Sequence, residues 1–154
     1  MPELKATLQA DLTASIKARD AVRSATIRMA LTAITNEEVA GKQARELTDE
    51  DVVDVLGREA KKRREAAQAY DDAGRGDLAD RERAELVVLA DYLPQPLSEA
   101  DVSAIIAAAV QEAAAAGASG GQAMGAVMRI VQPQVKGRAD GAAVASAVRA
   151  ALGL

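Results

Sequence analysis

Leu4, Leu8, Leu12 and Ile16 recur every fourth residue, a spacing that keeps one helix face apolar, and predict a first α-helix over about 3–18. Ile27, Leu31 and Ile34, with Met29 and Ala30 alongside, predict a second over about 20–39, which Gly41 would end. Leu47-Thr48-Asp49-Glu50-Asp51-Val52 has the form of a helix start, with Thr48 as N-cap, Asp51 three residues on, and Leu47 and Val52 as an apolar staple. This third helix is expected over about 49–73, until Gly74-Arg75-Gly76 breaks it. Asp77 is then expected to cap a fourth helix carrying Leu78, Leu86, Leu89 and Leu93.

Tyr92-Leu93-Pro94-Gln95-Pro96-Leu97 cannot continue it, because two prolines two apart lack helical donors and hold the preceding residues extended. An interdomain hinge is expected here. Leu97-Ser98-Glu99-Ala100-Asp101-Val102 repeats the staple-and-cap logic and opens a helix with Val102, Ile105, Ile106, Ala109, Val110 and Ala113 on one side, stopping at Gly117. A short helix bearing Met124, Val127, Met128 and Val131 is expected to end at Pro133, and a last one, capped by Asp140, carries Val144, Val148 and Leu152. No stretch alternates with period two. The pattern predicts an all-α chain: an N-terminal four-helix domain over 1–93, a Pro-containing hinge, and a C-terminal three-helix domain over 94–154. So small a second domain is expected to be marginally stable.

Composition narrows the chemistry. Of 154 residues 49% are apolar, yet there is no Phe or Trp and only two Tyr, so Leu, Ile, Val, Met and Ala must fill the core, which favours helices. The absence of Cys excludes disulfides and thiolate sites, and the absence of His removes the commonest general base and metal ligand, so no metal or cofactor is expected. The chain starts without a basic-then-apolar pattern and has no apolar run near ~20 residues, which predicts a soluble cytoplasmic protein without membrane contact. Residues 1–93 hold 15 Lys/Arg and 19 Asp/Glu, whereas 94–154 hold four of each, so charge density falls at the hinge.

The most basic run is Arg58-Glu59-Ala60-Lys61-Lys62-Arg63-Arg64-Glu65. Arg58, Lys61 and Lys62 lie opposite the stripe of Val52, Leu56, Ala67 and Tyr70 and are interlaced with acids, so a solvated face is expected ahead of a phosphate-binding one. Arg63 falls within the stripe: it either pairs with an acid at the core edge, the preferred reading, or enters a groove to meet a ligand. Gly117-Ala118-Ser119-Gly120-Gly121 precedes a helix but lacks the Lys-Ser/Thr of a phosphate loop, and is expected to be an interhelical loop. In Lys136-Gly137-Arg138-Ala139-Asp140-Gly141, Gly137 permits positive φ and Asp140 caps, but neither role explains two cations around the turn. Such a turn suits a phosphodiester backbone or a plain helix junction, and both remain open.

The basic run, the segment Tyr92 to Ser98, Met124-Gly125-Ala126-Val127-Met128, and the turn Val135 to Gly141 together closely resemble the GatB/YqeY family, in order along essentially the whole chain. The resemblance implies an all-helical protein whose last three helices are similar to the tail of the B subunit of the glutamine-dependent aspartyl/glutamyl-tRNA amidotransferase, a tRNA-contacting appendage. It also brings the family's label of carbon-nitrogen ligase activity with glutamine as amido donor. This chain departs from that enzyme in having no kinase-like domain and no Ser-Ser-Lys amidase constellation.

What the resemblance implies is a non-catalytic accessory protein that binds tRNA or an amidotransferase-like complex. Lys136 and Arg138 would contact phosphates, Gly137 would allow close approach, and Asp140 would hold the last helix in place. Arg129 and Arg149 would widen the patch, with Arg58, Lys61, Lys62, Arg63 and Arg64 as a secondary basic face. The alternative is a helical protein-interaction adaptor docking through apolar stripes or the Met124/Met128 surface.

Overall fold

In the computed structural model, which describes residues 2–154, the chain is all-helical, with seven α-helices and no strand among the described residues. They are α1 (Glu3–Lys17), α2 (Ala21–Val39), α3 (Asp49–Asp72), α4 (Gly76–Ala90), α5 (Glu99–Ala115), α6 (Gly121–Val135) and α7 (Gly141–Leu152). They fall into two compact units, one ending at Leu93 and the other running from Pro94 to Leu154.

In the first unit Leu8 of α1, Ile27, Ala30 and Ile34 of α2, Val52, Val55, Leu56 and Ala60 of α3, and Val88 and Leu89 of α4 form one core. The stripe of α1 drifts, however. At 3.6 residues per turn a strict fourth-residue row slips by about 40° at each step, so by its fourth member it has left the core side. Ile16 is accordingly about half exposed, and Ser15 takes its place, bonded to Ser24 of α2 across 2.9 Å.

Helix α3 opens with the expected capping box, Thr48 and Asp51 exchanging hydrogen bonds, with Leu47 buried beside Val52. It closes through Gly74 at φ 72°, the Arg75 N–H reaching back to the Tyr70 carbonyl. That tight exit leaves Arg75, not Asp77, as the N-cap of α4; Asp77 lies in the first turn and pairs with Arg75.

In the second unit Ile106, Ala109 and Ala113 of α5 pack with Val127, Val131 and Val135 of α6 and Val144 and Val148 of α7. Here too α5 opens on a capping box, Ser98 with Asp101, and closes through Gly117. Pro133 does not end α6, which continues to Val135. Proline has a helical φ and loses only one donor near a C-terminus, while two further residues let Val135 join the Val127/Val131 stripe.

Candidate functional site

The turn between α6 and α7 is built by its backbone. Lys136 caps α6 in an extended conformation, Gly137 follows at φ 72°, and the N–H groups of Arg138 and Ala139 both return to the Val135 carbonyl. A β-carbon at Gly137 would meet no atom within 4 Å, so conformation rather than crowding explains the glycine. Asp140 then accepts from the Ala143 N–H at 3.0 Å and caps α7. The sequence anticipated both roles.

It gave no hint of the contact that fixes the turn. The Leu97 N–H donates to the Arg138 carbonyl at 2.8 Å, and Arg138 Nε donates to the Gln95 carbonyl at 3.0 Å. Gln95 lies between Pro94 and Pro96, where no helical ladder can use its carbonyl. The extended segment entering α5 is thereby latched to the turn entering α7, and both helices begin at the same end of the unit.

Lys136 and Arg138 are exposed on this turn. Arg129 and Arg149 stand along α6 and α7, each on the order of 10 Å from the turn at 1.5 Å rise per residue. Arg129 folds back to the Gly125 carbonyl of its own helix. The shared end also carries Glu99, Asp101 and Asp140, so the turn is a local set of donors rather than a broad positive field. Met124 and Met128 are partly buried against the unit's own core.

On α3, Arg58, Lys61, Lys62 and Arg64 are exposed, Arg58 pairing with Glu37 and Lys62 with Glu59. Arg63 is the inward member of that basic run and only 4% exposed. Its Nε bonds Glu85 at 2.9 Å, its Nη1 bonds the carboxylate and carbonyl of Glu59 at 3.0 Å, and its Nη2 lies 3.7 Å from the Met29 sulfur. Burial pushes the Glu59 carboxyl up, but hydrogen bonds from Lys62 and Arg63 outweigh it and leave the pKa below the usual range. The preferred reading of Arg63, pairing with an acid at the core edge, is the one the structure shows.

A second polar cluster ties α1, α2 and the end of α4. Tyr92 donates to Asp11 at 2.5 Å and accepts from Arg23 at 3.0 Å, while Arg23 also pairs with Asp91 at 2.9 Å. Burial, then the Asp11 hydrogen bond, push the Tyr92 phenol up to about 12. The sequence marked Tyr92 only as the start of the proline segment.

Several hydroxyls elsewhere have local partners: Thr7, Thr13, Thr26 and Thr32 donate to backbone carbonyls, and Thr48 and Ser98 cap helices. No described helix is long and apolar enough to cross a membrane.

The family model described as Yqey-like protein matches residues 5–152. An uncharacterized protein of Schizosaccharomyces pombe is 33% identical over 99 residues, 64% of this chain and 78% of that protein. The altered inheritance of mitochondria protein 41, mitochondrial, of Lachancea thermotolerans is 31% identical over 104 residues, 66% of this chain and 55% of that protein. The chain thus spans about half the length of the second relative.

Proposed function

The chain belongs to the YqeY-like family, and from that premise we propose that it is a non-catalytic cytoplasmic accessory protein that binds tRNA, alone or within an amidotransferase-like assembly. The observation that carries this reading is the turn Lys136–Asp140, where two exposed cations flank a left-handed glycine in a rigidly latched junction. Positional contacts of this kind suit a phosphodiester backbone, which carries charge but no sequence information. Arg129 and Arg149 extend the contact, and the exposed Arg58, Lys61, Lys62 and Arg64 form a weaker second one.

Titration of the protein with bulk tRNA at several salt concentrations tests the proposal. Binding should weaken with salt, and Lys136→Ala with Arg138→Ala should lower the log–log salt slope by about two, one per phosphate contact. Glu99→Gln, which removes an acid from the same end, should strengthen binding. An unchanged affinity and slope in the double variant would remove the turn from the interface.

The adaptor reading is favoured by exposed apolar side chains in the first unit. Val22 and Met29 of α2 and Val87 of α4 are 48–69% exposed. Association with one defined protein, without RNA and lost on Val87→Glu, would support that alternative.

A further inference from the structure

Arg138 carries more information than its charge. Its guanidinium is planar, with five N–H donors in a fixed fork, and the hydrogen bond from Nε to the Gln95 carbonyl sets the direction of that fork. Among the described residues Nη1 and Nη2 donate to no protein group, and the side chain is exposed. Occupying Nε leaves the terminal edge, one N–H from each Nη, as the pair of parallel donors that remains. That edge matches two oxygens of one phosphate.

The carbonyl that does the fixing is itself fixed. Pro96 biases Gln95 to an extended backbone, Pro94 sets the φ before it, and the Leu97 N–H binds the Arg138 carbonyl. Side chain and main chain of Arg138 are therefore gripped by the same three-residue segment.

We propose that the Gln95 carbonyl is a positioning group that presents the terminal edge of Arg138 to the two non-bridging oxygens of an RNA phosphodiester, making Arg138 a geometric contact rather than a diffuse charge. The inference rests on the tRNA reading above and adds that at this position arginine cannot be replaced by lysine.

Three variants in the full chain separate the ideas, each titrated with bulk tRNA across salt. Arg138→Lys keeps the charge and the stem, so its salt slope should match the parent while affinity falls about tenfold, the fork being lost. Arg138→Ala should lose affinity and about one unit of slope. Pro96→Ala, which leaves every cation in place but loosens Gln95, should weaken binding about threefold at unchanged slope. In the RNA-free protein, the Arg138 Nε–H should be slow to exchange by ¹⁵N NMR, and faster in Pro96→Ala. If Arg138→Lys binds as tightly as the parent, the fork is overturned and the tRNA reading stands. A fast-exchanging Nε–H in the parent overturns the positioning role. If the parent does not bind tRNA at low salt, both fall together.

Discussion

Before Leu93, Arg23, Arg58, Arg63 and Arg83 reach carboxylates on neighbouring helices, whereas after Pro94, Arg129 and Arg138 donate to backbone carbonyls. Helices α3 and α5 nevertheless begin and end alike, each with a capping box and a positive-φ glycine. The difference lies between the ends. Helix α3 is rich in charge and holds its neighbours by ion pairs around an apolar stripe, while α5 and α7 are dominated by Ala and Val and pack with α6 through buried apolar side chains. Terminal signals therefore say where helices stop, and the residues between them decide which forces bind helix to helix.

The sharpest way to break the contrast is Arg63→Ala. It strands Glu59 and Glu85 against a buried site and should cost the first unit about 3 kcal/mol, at the low end for a broken buried pair because both acids keep some solvent. Hydrogen exchange by mass spectrometry should show faster exchange in α2, α3 and α4 and none of the effect in α5 to α7.

Val131→Ala is the counterpart. It empties a site with no solvent exposure and should cost the second unit about 2 kcal/mol, with faster exchange confined to residues 94–154. Thr48→Ala and Ser98→Ala should then cost about 1 kcal/mol each and show that the shared caps contribute equally in the two units.

A last expected effect, seen only at alkaline pH, is a pH dependence belonging to the first unit. The folded pKa of Tyr92, about 12, lies above its ordinary value of 10.0. Its contribution is thus complete below pH 10 and is lost as pH rises through 12, because the unfolded chain releases that proton first. Tyr92→Phe should flatten this alkaline loss, as followed by circular dichroism between pH 9 and 12.

What could be read from the sequence was local. Thr48 with Asp51, Ser98 with Asp101, and Asp140 before α7 are complete within four residues, and each capped as expected. Arg63 was legible because its angle set it among apolar neighbours. Asp77 misled because the closing turn of α3 determines where α4 can start, and Pro133 because burial of Val135 outweighed one lost donor. At the candidate site, Gly137 and Asp140 were evident, but the latch joins residues 43 apart through the main-chain carbonyl of Gln95. A carbonyl has no identity in the sequence, so only the fold could bring it to Arg138.

The placing of the two tyrosines also has an optical consequence. Tyr70 and Tyr92 are the chain's entire aromatic content, and both precede Pro94. Near-ultraviolet absorbance and intrinsic fluorescence therefore see one half of the molecule, with Tyr92 quenched by the carboxylate it bonds to in the folded state and brightening as α1, α2 and α4 come apart. The half bearing the proposed RNA contact holds no aromatic side chain and is spectroscopically dark.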